Sequence, residues 1–271
     1  MTQNLTKLKQ KIYTSWNSAD YETFGQILEV GVHDFVARLD VSPQTIVLDV
    51  ACGTGNCAIP LAQWGAQVTG VDIAPALLAI AREKTAVLNL DITFDEGDAE
   101  ALPYPNNSFN LVTSSFGVVF APRQALAASE LLRVCQPNGT IALMAWTAEG
   151  FFGQMFKIQA KYAPPPPDMP SNTLWGDPQV VGTYFSKGVS SLRCTRRTLP
   201  LTFATDATGV VAFFRQHSRA LRATFGKLDA ATQAQLQGEL EQLWNDHNTA
   251  VSDNIAVNAE YLEILAVKDS P

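Results

Sequence analysis

The sequence predicts an α/β protein whose core is a doubly wound parallel sheet, and two observations predict it. Runs rich in β-branched residues alternate with helical apolar spacing between residues 41 and 150, the pattern of parallel strands joined by right-handed crossovers. The first of those runs, Ile46-Val47-Leu48, ends at Asp49 and opens into the turn Gly53-Thr54-Gly55. Sheets of this class take their ligands at such strand ends.

Taken in order, residues 1–40 read as helical, with Phe24, Ile27, Leu28, Val32, Phe35 and Leu39 near helical spacing. After the first strand, Ala58 to Trp64 is a helix stopped by Gly65. Val68 to Val71 is the second strand, closed by Asp72, and Pro75 opens the helix Ala76 to Leu88 from a first-turn position that needs no N–H. Ile92 to Phe94 is a third strand and Phe109 to Ser114 a fourth. Arg123 to Cys135 is a helix, ended by Pro137-Asn138-Gly139, and Thr140 to Trp146 is a fifth strand. Beyond residue 150 the rhythm loosens. A helix near 151–162 runs into Pro164–Pro167, Ser191 to Phe203 reads as a sixth strand, and Glu260 to Val267 as a seventh. Between the last two lie two apolar stripes: Val210, Phe214, His217, Leu221 and Phe225, then Leu236, Leu240, Leu243 and His247. The organisation expected is an N-terminal helical cap (1–40), a core (41–205 and 251–268) and a helical lid insertion (206–250).

Composition narrows the class. Of 271 residues, 46% are hydrophobic and 17% charged, as in a packed globular chain. No apolar run approaches membrane-spanning length, and the lysines of the N-terminus are followed by no apolar signal core. Cys52, Cys57, Cys135 and Cys194 form no Cys-x-x-Cys pair, so neither zinc nor a disulfide framework is indicated and a reducing, cytoplasmic setting is expected. The net charge is −7, with 19 basic residues against 26 acidic, which argues against a nucleic-acid partner. The densest basic spot, Arg193, Arg196 and Arg197, reads as a solvated strand face.

Four segments carry candidate chemistry. Glycines let a ligand approach the backbone where any Cβ would collide, and the helix start beyond them offers unpaired N–H groups. Alone, Gly53-x-Gly55-x-x-Ala58 satisfies a loose dinucleotide fingerprint equally well, or a plain tight turn. Asp72 stands at the end of the second strand, where a carboxylate can accept from both hydroxyls of a ribose or simply cap the next helix. Gly97-Asp98-Ala99, with Leu102-Pro103 after it, places Asp98 in the loop beyond the third strand, able to accept from an exocyclic amine. Ser114-Ser115-Phe116-Gly117 sets a small polar edge and an aromatic ring at the end of the fourth strand.

Together these segments closely resemble the class I S-adenosylmethionine-dependent methyltransferases, most of all the branch that includes the ubiquinone/menaquinone-biosynthesis C-methyltransferases. The resemblance covers about residues 40–150. Leu48-Asp49-x-Ala51-x-Gly53-Thr54-Gly55 matches the family's first motif, Gly70-Val71-Asp72-Ile73 the second, and Gly97-Asp98-Ala99-x-x-Leu102-Pro103 the third, while Asn138-Gly139-Thr140 matches the turn before the fifth strand. The resemblance implies a Rossmann-like methyltransferase fold: a seven-stranded, mostly parallel sheet of order 3-2-1-4-5-7-6 with the last strand antiparallel. It implies S-adenosylmethionine as cofactor. Gly53 and Gly55 would pass under its methionine part, Asp72 would hold the ribose, Ile73 the adenine, Asp98 and Ala99 the adenine amine and face, and Ser115 and Phe116 the surroundings of the sulfonium; Asp49, in the first motif, would be a further cofactor-site residue. Two positions depart from the pattern: Ala51 stands where many members have glycine, and Ala74 where a serine often caps the next helix.

The implied activity is in-line methyl transfer to a small molecule. Orientation alone can supply about 7–11 kcal/mol of such a barrier, and a base is needed only where the acceptor must lose a proton. After the fourth strand the chain reads Ser114-Ser115-Phe116-Gly117 rather than Asn-Pro-Pro-Tyr, and it contains no Pro-Cys dipeptide. Both facts point away from nucleic-acid bases and protein amides and toward a small-molecule acceptor. His217 and His247 are candidate bases on the lid helices or packed core histidines; Trp16, Trp175 and Phe213 are cavity walls or core. The alternatives are a cofactor-binding protein without catalysis and a nicotinamide-dependent oxidoreductase, against which stands the lack of a Tyr-x-x-x-Lys pair.

Overall fold

Runs rich in β-branched residues become the strands of one sheet, buried on both faces at its centre and partly exposed at its edges. In the computed structural model, which describes residues 2–17, 22–251 and 254–270, they are Ile46–Val50 (β1), Gln67–Asp72 (β2), Ile92–Glu96 (β3), Phe109–Ser115 (β4), Cys135–Trp146 (β5), Val189–Phe203 (β6) and Ile255–Lys268 (β7). Their order is β3-β2-β1-β4-β5-β7-β6. The first five strands pair in parallel, and β7 runs antiparallel to both of its neighbours, as the family resemblance implies.

Before β1 come Thr2–Trp16 (α1), Glu22–Gln26 (α2) and Glu29–Val36 (α3). The crossovers are Ala58–Gln63 (α4), Pro75–Leu88 (α5) and Gln124–Val134 (α6), with Phe151–Tyr162 (α7) and Pro178–Tyr184 (α8) between β5 and β6. Ala207–His217 (α9), Arg219–Phe225 (α10) and Ala230–Asp246 (α11) lie between β6 and β7. Strand alternation divides the core between the two faces of the sheet. From β5, Ala142, Met144 and Trp146 join the cluster beneath α3, α4, α7 and α11, while Ile141, Leu143 and Ala145 join the one beneath α6 and α8. Among the described residues no helix is long and apolar enough to cross a membrane.

The structure departs from the sequence reading in four places. β5 begins at Cys135 rather than Thr140, because Pro137-Asn138-Gly139 bends the strand instead of ending it: Asn138 takes φ 61° and the pairing with β4 slips between Phe109 and Leu111. β7 begins at Ile255 rather than Glu260, since it pairs along β6 from Val189↔Lys268 to Phe203↔Ile255. Backbone pairing, not local hydrophobicity, sets its length. The helix α8 was not foreseen, although Asp177, whose side chain accepts from Gln179 N at 2.8 Å, and Pro178 form an ordinary start signal. Finally, the basic strand face is paired as well as solvated. Arg196 meets Glu260 at 2.6 Å, and Arg197 and Arg38 converge on the buried Glu263 at 2.9 and 2.5 Å.

Candidate active site

The tips of β1 and β4 are held in unusual backbone. Ala51, Gly53 and Gly55 take φ 53°, 56° and 87°, and Phe116 takes φ 58°. For a residue with a side chain the left-handed region costs about 1–2 kcal/mol. Such strain gathers where a loop is shaped for a ligand. The value at Ala51 also gives a physical reason for glycine at that position in other sequences. Gly117 brings the two tips together, since a Cβ there would lie 2.5 Å from the Ala51 carbonyl oxygen.

Two carboxylates organise these turns from below. Asp72, the last residue of β2, accepts from Gly53 N at 2.8 Å through Oδ2 and from Ala74 N at 2.9 Å through Oδ1. It therefore caps the next segment and tethers the glycine turn, while still lining the cavity above. The weak cap expected at Ala74 is real, but Asn17 Oδ1 accepts from Ala76 N at 3.0 Å and caps α5 from outside. Asp49 is fully buried behind the turn, where it accepts from Thr113 Oγ1 at 3.0 Å and from the backbone of Ala58. Its Oδ2 finds no hydrogen-bond partner. Burial, against the lowering effect of those bonds, pushes the Asp49 carboxyl up to about 7, with the charge of Asp72 adding to the rise. Burial also raises Asp72, against the hydrogen bonds from Ala74 and Gly53.

Above the turn lies a narrow cavity of about 110 Å³. Gly53, Asp72, Ile73, Asp98, Ala99, Ser115 and Phe116 all line it, so seven of the sequence candidates converge on one space. Its mouth is filled by α1 through Lys9, Ile12 and Trp16. Lys9 Nζ binds the Asp98 carboxylate and lies 2.5 Å from Glu100 Oε2, whose side chain also receives Arg123 Nε at 2.7 Å. A second, larger cavity of about 560 Å³ abuts the first and shares Trp16, Leu28, Phe116 and Phe120 with it. Seven Phe and Trp rings are among its lining residues. Phe116 stacks on Trp146 at 3.9 Å between ring centroids, and Trp146 lies 4.3 Å from Phe152.

Three candidates do not face either cavity. Asp49 and Gly55 lie behind the turn and shape it. His247 packs edge-on to Phe151 at 5.6 Å, with Nε2 3.4 Å from Gln154 Oε1, the position of a packed histidine, the second of the two readings open to it. His217, by contrast, borders the second cavity. Trp16 lines both cavities, whereas Trp175 is sealed against Tyr184 at 4.8 Å and Phe213 packs on Phe203 at 5.6 Å. Lys9, Glu100 and Arg219 were missed. Glu100 sits two residues from Asp98 and could have been read with it; Lys9 and Arg219 carry no local motif.

Comparison with known proteins agrees with this geometry. Residues 47–139 match the profile of a methyltransferase domain. An uncharacterized protein of Mycobacterium tuberculosis is 35% identical over 236 residues, 86% of this chain and 85% of the relative. The chain belongs to the class I S-adenosylmethionine-dependent methyltransferases. A demethylmenaquinone methyltransferase of Deinococcus radiodurans is 37% identical over 155 residues, which cover 54% of this chain and 64% of that enzyme. The YcgJ protein of Bacillus subtilis shares the fold, with a TM-score of 0.62 at 15% identity over 89% of this chain and 99% of that one. Membership decides between the two uses that the glycine turn left open, and the cofactor of this methyltransferase is S-adenosylmethionine. The residues present fit that group. Its cationic sulfonium and its amine suit a cavity bordered by Asp72 and Asp98, and the backbone at Gly53 comes close without a Cβ.

Gly117→Val tests how closely the methyltransferase cavity depends on the touching strand tips. Overpacking against a main-chain oxygen costs about 1–3 kcal/mol. The expected result is a lower melting temperature and roughly tenfold weaker S-adenosylhomocysteine binding by calorimetry. Unchanged affinity would mean that the tips do not shape the cavity.

Proposed function

We propose that this methyltransferase acts on a small-molecule acceptor seated in the second cavity, with the cofactor in the first. The observation that carries the reading is the shared wall of Trp16, Leu28, Phe116 and Phe120, which sets the two spaces side by side, as a methyl donor and its acceptor require. When bound, the cofactor supplies a methyl group made electrophilic by its positive sulfur.

In this reading Asp72 accepts from the ribose hydroxyls, since each carboxylate oxygen keeps a lone pair beyond its backbone bond. Ile73 and Ala99 flank the adenine, and Asp98 accepts from its amine once Lys9 releases the carboxylate. Ser115 and Phe116 stand where the two spaces meet. Asp49 and Gly55 act through the turn they shape. Residues 1–40 and 206–250 form the cap and lid of the core made by 41–205 and 251–268. Phe24 of α2 meets Phe214 of α9 at 5.5 Å, which supports a joint roof that keeps water out. A concave space bordered by several aromatic rings favours a metabolite over a nucleic-acid or protein acceptor.

Incubation with methyl-labelled cofactor and a fractionated extract tests the reading. Label is expected in the low-mass fraction. Label confined to protein or nucleic acid would overturn the small-molecule assignment.

A further inference from the structure

Two cations, Lys157 and Arg219, border the second cavity, and among the described residues no carboxylate does. Arg219, the first residue of α10, borders the cavity with its guanidinium carbon 4.4 Å from the Trp16 ring centroid. Its Nε is buried and makes no hydrogen bond, and among the described residues no carboxylate lies within ion-pairing distance of it. Burial, with the nearby charge of Arg222, lowers the affinity of the guanidinium for its proton, yet an arginine remains charged. Other arginines that reach into the protein meet a carboxylate: Arg38 and Arg197 share Glu263, Arg123 has Glu100 and Arg133 has Glu130. Desolvating a charge without a counter-ion is costly, and such residues are rarely buried unless paired.

The surroundings of Arg219 define what would complete the pair. Beside it, His217 leaves a buried Nδ1 with no hydrogen-bond partner, its ring 4.7 Å from Phe213. The same cavity is bordered by the packed rings of Phe116, Trp146 and Phe152. Lys157, Gln159, Asn172 and Thr173 border the cavity as well, so polar groups and aromatic rings share its lining.

Resting on the reading of this cavity as the acceptor site, we propose that the acceptor is a flat, apolar molecule bearing one anionic group. Arg219 holds the anion, His217 hydrogen-bonds beside it, and the aromatic walls hold the body. Arg219 is a specificity-determining residue in this scheme, and the methyl-accepting atom lies on the body, toward Phe116.

Two fluorescent probes with the same aromatic body separate the contributions: 8-anilinonaphthalene-1-sulfonate and the neutral N-phenyl-1-naphthylamine. Each is titrated into protein saturated with S-adenosylhomocysteine. The sulfonate is expected to bind at one site and about ten- to a hundredfold more tightly than the neutral probe, the range for a charge-assisted hydrogen bond. Arg219→Gln is expected to erase that advantage while leaving the neutral probe within about twofold. Arg219→Lys keeps most of it, and the exposed Arg196→Gln keeps all of it. Equal binding of the two probes by the native protein overturns the proposal, and that comparison stands even if the glutamine variant does not fold. A parallel loss of both probes in Arg219→Gln also overturns it, because the guanidinium would then only prop Trp16. Calorimetry of S-adenosylhomocysteine on the same samples separates the layers. Failure to bind it removes the functional reading and this inference together; normal binding without a sulfonate preference removes the inference alone.

Discussion

Asp72→Ala is expected to weaken S-adenosylhomocysteine binding about ten- to a hundredfold, the effect of losing charge-assisted hydrogen bonds of about 1.5–3 kcal/mol. The side chain has two duties, and the variant removes both. One is the proposed grip on the ribose hydroxyls. The other is the tether from Oδ2 to Gly53 N at 2.8 Å, with the cap from Oδ1 to Ala74 N at 2.9 Å. Loss of the cap alone costs about 1 kcal/mol of stability. A melting experiment therefore records the structural duty and calorimetry the binding one. Asp72→Asn refines the test, because an amide group turned toward Gly53 N would oppose one donor to another while preserving size. Native-like affinity in the alanine variant would remove Asp72 from the cofactor site.

The second large effect concerns Asp49 and pH. Its carboxyl sits at about 7 in the folded protein, chiefly through burial, whereas an unfolded aspartate titrates near about 4. Between those values the unfolded chain has released the proton that the folded protein keeps. Stability from this group is thus complete below about pH 4 and is lost as pH rises to about 7, at roughly 1.4 kcal/mol per unit. Asp49→Asn mimics the protonated side chain. In the cofactor-free protein its stability relative to the native protein is expected to be nearly constant at low pH. It should then rise by roughly 4 kcal/mol by pH 8. Denaturant unfolding of both proteins across that range measures the difference, in which the titrations of groups remote from Asp49 cancel. A difference that does not change with pH would show that Asp49 is charged in its buried position. The same burial explains why Asp49 stands behind the turn: a carboxylate reaching the cavity would be solvated or paired.

The sheet and the cofactor end of the site were legible because they are local. Strand runs, Gly53 and Gly55, Asp72, and Gly97-Asp98 each occupy a short segment whose backbone geometry depends on neighbours in sequence. Once the strands assemble in the order β3-β2-β1-β4-β5-β7-β6, their tips must meet at the point where the order reverses. Strand and helix patterning thus predicted the fold class, and the resemblance carried by the motifs predicted the family and seven of the residues around the first cavity.

Tertiary structure decided what depends on distance across the chain. Lys9 reaches Asp98 from 89 positions away, and Arg219 stacks on Trp16 although no motif links α10 to α1. His217 and His247 look alike as residues on helical stripes, yet only His217 borders a cavity. Their difference arises from how α7, α9, α10 and α11 pack on one another, a matter of side-chain fit between segments far apart in sequence. Patterning can say that such helices bury one face; which polar atom is left at the edge of the buried space is settled only when the faces meet.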